Sequence, residues 1–352
     1  MVLSDDFKRG RGMKAIRLHE IESPEKLVYE DIPEPEPGPG EVVVRLRAAA
    51  LNRRDVFVTR GMYPGARPDA LPVILGSDGA GKVEARGDGV DGLSEGDEVV
   101  INPALFWGDD PHVPGKEYRI LGLPDDGTFA QFVKAPADHV FPKPSHLSVD
   151  AAAAIPLAAL TAYRALFTRG RLQEGETVVV PGIGGGVAPF LVQMASAVGA
   201  KVFVTSGSDE KIEKAKELGA EGGVNYNAEK WSRELRSMTG GVDLSADTIG
   251  GEVFDALLSI AKPGSRVISI GATAGPAEKV VLPKLFVRPG HLDVLGTAMG
   301  SREDFEGMLR FYGEHELSPV IKETFPLEEA TAAMNFMEEG LGIGKIVLQI
   351  PA

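Results

Sequence analysis

Between Thr177 and Ala200 the chain reads TVVV-PGIGGGVA-PFLVQMASAVGA, four β-favouring residues, a glycine-rich turn and then a helical pattern. That order suits a phosphate-binding turn. The strand aims the chain, glycines let a pyrophosphate approach the backbone, and the helix N-terminus offers free N–H groups at the positive end of its dipole. Two registers fit the run: G-x-x-G-x-x-A touches the ligand at Gly182, Gly185 and Ala188, and G-x-G-x-x-V at Gly182, Gly184 and Val187, with Gly186 inside both. A tight turn without a ligand is the bland alternative; strand, helix and second strand within about 30 residues weigh against it. The second strand, KVFVT, should select between the two nicotinamide dinucleotides. NAD sites place an Asp or Glu at its end for the ribose 2′-hydroxyl. Here Ser206, Gly207 and Ser208 come first, no carboxylate precedes Asp209, and Lys211 follows. Two hydroxyls and a lysine make a cup for a 2′-phosphate, which points to NADPH. Alternatively, Ser208 caps the next helix and Lys211 is solvated on its first turn.

Positioning that turn requires a particular series of elements. From Asp150, a candidate N-cap, the texture is helical over the alanines and again at Leu160–Thr168. Strands and helices then alternate: Thr177–Val180, helix Gly186–Val198, Lys201–Thr205, helix Glu210–Leu218, Gly223–Asn225, helix Glu229–Met238, Val242–Asp247, helix Glu252–Ile260, Arg266–Ile270 and His291–Thr297. Strands separated by helices form parallel βαβ units with helices on both faces. The first third is punctuated as a β-rich domain, with strands at Met13–Leu18, Glu41–Arg47, Gly79–Ala85, Glu98–Ile101 and Thr128–Lys134 around a Gly/Pro/Asp-rich loop, Asn102–Gly127. The tail returns to helices at Arg302–Gly313 and Leu327–Glu339 and ends in a strand, Lys345–Ile350. The expected fold is α/β. A doubly wound Rossmann domain of about six parallel strands occupies 151–299, and a β-rich catalytic domain is assembled from 1–150 and 300–352.

The chain's 352 residues exceed one domain of about 100–200. Thirty-seven basic against 51 acidic side chains leave a net charge of −14 with no basic cluster, so nucleic acid is not the expected partner. Cysteine is absent, which excludes disulfides, a cysteine nucleophile, a thiolate zinc site and a thiol redox couple. The long uncharged stretch Thr177–Ala200 is broken by Pro181, Pro189 and five glycines, so it is not expected to span a membrane. Residues 1–12 lack the apolar segment of a signal peptide and read as a loose extension. A cytoplasmic protein is expected.

Taken in order along the chain, the motifs resemble the medium-chain dehydrogenase/reductase superfamily, and within it the zinc-independent branch of NADPH:quinone oxidoreductases and enone reductases. The landmarks are Ala50-Leu51-Asn52-Arg53-Arg54-Asp55, Gly61-Met62-Tyr63-Pro64, Leu75-Gly76-Ser77-Asp78-Gly79-Ala80-Gly81, Gly96-Asp97-Glu98-Val99, Gly127-Thr128-Phe129-Ala130, Leu160-Thr161-Ala162-Tyr163, the glycine turn, Lys216-Glu217-Leu218-Gly219-Ala220 and Gly344-Lys345-Ile346-Val347. The resemblance covers Met13 to Pro351 and implies a GroES-like catalytic domain. Zinc-dependent relatives carry a cysteine at Asn52, a His-Glu pair at Ser77-Asp78 and a four-cysteine lobe in 102–127. Ser77 is a poor ligand, Asp78 alone makes no site, and the six histidines are scattered, so no metal is expected.

Without a metal, the chemistry that remains is hydride delivery from NADPH to a quinone or α,β-unsaturated carbonyl, by placement and hydrogen bonding. The resemblance puts Asn52 and Tyr63 at the cleft floor as catalytic residues, although Tyr63-Pro64 also suits a packed loop corner. It puts Thr161 beside the nicotinamide amide and Tyr226 beside the adenosine phosphate. Gly271, Ala272 and Thr273, and likewise Thr297 and Met299, follow strands at the carboxyl edge where such sheets bind ligands. Phe106-Trp107 lies in the variable loop, as pocket wall or core edge. Ala188 and Gln131 depart from the family pattern, and the 102–127 loop is longer than in compact quinone reductases. An alcohol dehydrogenase, or an NADPH-binding protein without turnover, stands as the alternative. His291–Thr297, as an edge strand, implies a homodimer.

Overall fold

The computed structural model describes residues 12–277 and 279–352; most of the N-terminal extension lies outside them. One sheet is wholly parallel, in the order Gly222–Asn225, Lys201–Ser206, Thr177–Val180, Val242–Asp247, Ala261–Ser269, Asp293–Gly296. All four residues of Thr177–Val180 are buried, as expected of a central strand covered on both faces. The chain winds outward from this strand in one direction, then returns to build the other side. The switch point therefore falls between Thr177–Val180 and Val242–Asp247, which makes a Rossmann-type sheet. Its connecting helices are Ala188–Ala197, Asp209–Glu217, Trp231–Thr239 and Gly251–Ile260.

A second, mostly antiparallel sheet runs Val140–Pro142, Glu98–Ile101, Asp78–Arg86, Glu41–Ala50, Lys345–Gln349, Ile321–Pro326, with Phe132–Pro136 also paired to Glu41–Ala50. The strand Lys345–Gln349 sits inside it, its residues Val347–Gln349 opposite Ala48–Ala50. A smaller sheet places Gly12–Leu18 between Leu27–Pro33 and Val73–Ile74. The two halves share one core in which Ala154, Leu160, Val180, Met194, Phe305 and Val347 are all buried. Among the described residues no helix is long and apolar enough to cross a membrane.

Boundaries differ from the sequence expectation for local reasons. Ser148, not Asp150, caps the first helix: its Oγ accepts the Ala151 N–H at 3.2 Å, and Asp150 falls in the first turn. The second helix starts at Pro156, whose missing N–H costs nothing in a first turn, and passes into π-helical turns over Arg164–Arg169. Thr128–Ala130 do not join the strand that follows them; Phe129 instead exchanges backbone bonds with Leu75 and Ile16. In the variable loop, Trp107 is buried. Its indole N–H donates to the Asp110 carbonyl at 3.0 Å, and the buried Arg164 guanidinium lies 4.8 Å above its ring. Arg164 also donates to the carbonyls of Pro111 (2.8 Å) and His112 (2.7 Å) and to Asp304 (2.5 Å). One cation thus ties the loop to the helix Arg302–Glu314.

Candidate active site

Asn52 precedes the helix Arg53–Thr59, and its N–H donates to Asp55 Oδ2 at 2.7 Å. Its side chain enters a buried polar cluster. Lys345 Nζ donates to Asn52 Oδ1 (2.7 Å) and Asp78 Oδ2 (2.9 Å), and Asn52 Nδ2 donates to the same Asp78 oxygen (2.9 Å). The other oxygen, Asp78 Oδ1, accepts the Leu157 N–H at 2.7 Å, which sets the carboxylate on the first turn of Pro156–Tyr163. The strands Lys345–Gln349 and Asp78–Arg86 and the helix Pro156–Tyr163 therefore meet at one carboxylate. Beside it, Arg54 Nη1 donates to Ser77 Oγ (2.7 Å) and the Leu121 carbonyl (3.0 Å), and its guanidinium carbon lies 4.7 Å from the Tyr63 ring centre. Burial pushes the Asp55 carboxyl up to about 6, against the opposing pull of Arg54 and the Asn52 N–H.

These donors do not suit zinc. Asn52 and Asp78 already hold an ammonium and Ser77 a guanidinium, so a dication there would face two fixed cations at short range. Among the described residues no three of His, Cys, Asp and Glu gather as a metal site.

The glycine turn fits a dinucleotide. Gly182, at φ +69°, gives its N–H to the Thr205 carbonyl at 3.1 Å, and a Cβ there would strike Ile249. Gly185 closes the turn onto the Gly182 carbonyl at 2.9 Å. A Cβ at Gly186 would meet nothing within 4 Å, so the backbone leading through Val187 into Ala188–Ala197 is open to a close-lying phosphate. Ser206 Oγ accepts the Ser208 N–H at 3.1 Å, and Ser208 Oγ accepts the Lys211 N–H at 3.4 Å, so Ser208 does cap the next helix. Lys211 is more than a solvated lysine: its Nζ donates to the Gly340 carbonyl at 2.7 Å and would lie 3.1 Å from a Cβ at Gly184. The Tyr226 hydroxyl would meet a Cβ at Gly207 at 2.8 Å, so the phenol lies over the cup.

Gly271 to Thr273, Thr297 and Met299 follow strands at the same carboxyl edge. Gly271, Ala272 and Thr273 curl over Thr248, whose carbonyl accepts the Thr273 hydroxyl at 3.2 Å. The Thr297 N–H donates to the Ser269 carbonyl at 3.0 Å. Met299 is buried at φ +53°. Thr161 gives its hydroxyl hydrogen to the Leu157 carbonyl at 2.8 Å, one turn from the Asp78 contact. The structure brings Gly182 to Val187, Ser206, Ser208, Lys211 and Tyr226 together around three strand ends, with Asn52 and Tyr63 in the other half. Lys345, Arg54 and Asp78 do not stand out in the sequence as site residues. Their signal was weak: a charged residue opening an apolar strand, and a second arginine beside Asn52.

Two family models match the chain, one described as an alcohol dehydrogenase GroES-like domain over residues 38–145 and one as a zinc-binding dehydrogenase over 186–314. A zinc-type alcohol dehydrogenase-like protein of Schizosaccharomyces pombe is 35% identical over 347 residues, covering 96% of each chain. An acryloyl-coenzyme A reductase of Metallosphaera sedula is 30% identical and covers 90% of this chain and 95% of its own. The crystal structure of an NAD-dependent alcohol dehydrogenase superposes with a TM-score of 0.91 at 39% identity, covering 96% of this chain and all of that one. With its GroES-like half, its Rossmann-type sheet and these relatives, the chain belongs to the medium-chain dehydrogenase/reductase superfamily of oxidoreductases.

Proposed function

We propose that this oxidoreductase transfers hydride from NADPH to a quinone or an α,β-unsaturated carbonyl without zinc. The observation that carries this reading is the cluster of Lys345 and Arg54 on Asn52, Asp78 and Ser77, two cations where a metal would need ligands. An acceptor already polarised by conjugation needs only placement and hydrogen bonding. The acryloyl-coenzyme A reductase is named for a conjugated substrate, which agrees with this reading.

Bound at the glycine turn, the nicotinamide cofactor would supply the hydride. Gly182, Gly184, Gly185, Gly186 and Val187 hold its pyrophosphate against the helix N-terminus. Ser206, Ser208, Lys211 and Tyr226 take its 2′-phosphate, and the strand end carries a hydroxyl where a carboxylate would select NAD. Thr161, Gly271 to Thr273, Thr297 and Met299 position the nicotinamide half. Asn52, fixed by Lys345, and Tyr63 present the acceptor. We take 1–150 with 300–352 as the catalytic domain, 151–299 as the cofactor domain, and the active form as a cytoplasmic homodimer with no nucleic-acid or membrane partner.

The test is oxidation of NADPH and NADH by the purified protein against quinones, enones, enals and simple ketones. Turnover is expected with conjugated acceptors, preferentially with NADPH and unchanged by chelator. The alcohol dehydrogenase structure at 39% identity favours a second reading, oxidation of alcohols. Alcohol-dependent reduction of the nicotinamide, lost on chelation and restored by zinc, would select that reading and refute ours.

A further inference from the structure

Arg54 poses a problem that the cluster around Lys345 does not. Its side chain is 7% exposed, and the nearest carboxylate oxygen, Asp55 Oδ1, stands 4.0 Å from Nη1, beyond hydrogen-bond range. Nη1 is satisfied by Ser77 and the Leu121 carbonyl. Nε and Nη2 are buried and find no acceptor among the described residues. These two atoms form one edge of the guanidinium, along which two N–H bonds point in parallel, the geometry that grips an oxygen-bearing group. A buried guanidinium edge with no acceptor among the described residues is costly and calls for an explanation. Tyr118 has the same defect: its hydroxyl is buried without a partner among the described residues, and it lies in the electrostatic field of Tyr63, Arg54 and Arg164. Its ring is fixed edge-on against Trp107 at 5.2 Å.

We propose that the Nε–Nη2 edge of Arg54, with the Tyr118 hydroxyl, receives the carbonyl oxygen of the acceptor as it becomes an enolate. The inference rests on the hydride-transfer reading above and narrows its substrate class. A hydride drawn from the reduced nicotinamide dinucleotide, which is thereby oxidised, forms a C–H bond at the β-carbon. The C=C π pair moves to the bond between the α-carbon and the carbonyl carbon, and the carbonyl π pair moves onto oxygen. Negative charge appears at the oxygen, and the α-carbon then takes a proton from water. A guanidinium is a donor that stays charged in proteins, so it stabilises that charge without supplying a proton. Burial raises the Tyr118 hydroxyl as well, making it a poorer acid. A simple ketone needs a proton delivered to its oxygen and an enolate does not, so this pair of donors suits conjugated acceptors.

4-Nitrophenol serves as the probe, because its phenolate mimics the enolate oxygen and absorbs separately from the phenol. Bound to the wild-type protein with no cofactor present, it should titrate at least about one pH unit below the free dye, a tenfold preference for the anion. Arg54→Gln should return that midpoint to the free value and lower kcat for an enone by about 100-fold. Arg54→Lys can still reach Ser77 and Leu121 but offers no second edge, so it should lose most of the shift and decides the matter if the Gln variant fails to fold. Tyr118→Phe should give an intermediate shift. A wild-type midpoint equal to that of the free dye, or Lys and Gln variants that keep the shift and the enone rate within threefold, would overturn the assignment. A wild-type protein inactive on every conjugated acceptor, yet binding phenolate through Arg54, would instead refute the proposed reaction and leave the anion receptor standing.

Discussion

Replacing Lys345 with Met tests whether the buried cluster holds the two halves of the site together. The ammonium makes two charge-assisted bonds, to Asn52 at 2.7 Å and to Asp78 at 2.9 Å, and the Asp78 side chain is 0% exposed. Removing it leaves a carboxylate in the interior with, among the described residues, only the Leu157 N–H and the Asn52 amide as partners. Breaking one side of such a pair costs about 3–5 kcal/mol. The loss should appear in urea unfolding followed by the fluorescence of Trp107 and Trp231, which sit in different halves. Asp78→Asn in the same background removes the stranded charge, so the double variant should recover at least about 1.5 kcal/mol of the loss relative to additivity. Lys345→Met should also lower kcat, because Asn52 loses the contact that fixes its amide. A Lys345→Met variant within about 1 kcal/mol of wild type, or a double variant additive to within about 0.5 kcal/mol, would refute the reasoning.

Three other outcomes follow from the geometry. The Asp55 carboxyl titrates near 6 in the folded protein against an ordinary 3.8, so the folded state keeps its proton longer and stability falls as pH rises between those values. The gap corresponds to about 3 kcal/mol, so Asp55→Asn, which retains an acceptor for the Asn52 N–H, should be the flatter of two stability profiles between pH 4 and 7; parallel profiles would contradict this. Lys211→Ala should weaken NADPH binding by roughly 1–3 kcal/mol and leave NADH nearly unchanged in titration calorimetry, whereas equal losses would remove the lysine from the 2′-phosphate site. Asp293–Gly296 ends the parallel sheet with Val294 exposed, close in sequence to the exposed Phe286 and Val287. Wild type should therefore elute as a dimer and Val294→Lys as a monomer, and a wild-type monomer at micromolar concentration would exclude this pairing.

The alternating half of the fold was legible where its central strands are buried on both faces. Thr177–Val180 follows its β-favouring run, and Val242–Asp247 its apolar alternation, end to end. Leu27–Pro33 and Ile321–Pro326 left no such trace, since neither contains a fully buried residue and both end in proline. The helix Arg53–Thr59 is rich in β-branched residues that disfavour helix, and its start is set by the Asn52–Asp55 contact. The glycine turn announced itself locally. Lys345 did not, because its partner Asn52 lies 293 positions away and no window along the chain contains both. Arg54 was visible only as a charge; its unpaired edge is a property of the folded surroundings.

The strand Lys345–Gln349 lies inside its sheet, between Glu41–Ala50 and Ile321–Pro326. As the polypeptide leaves the ribosome, the earlier strands of that sheet must wait, with the Ala48–Ala50 rim unpaired, until almost three hundred further residues have been made. The intervening parallel sheet has all its strands by Gly296 and can form during this interval. Newborn chains should therefore mature from the middle outward, with the waiting rim the part most in need of chaperone shielding.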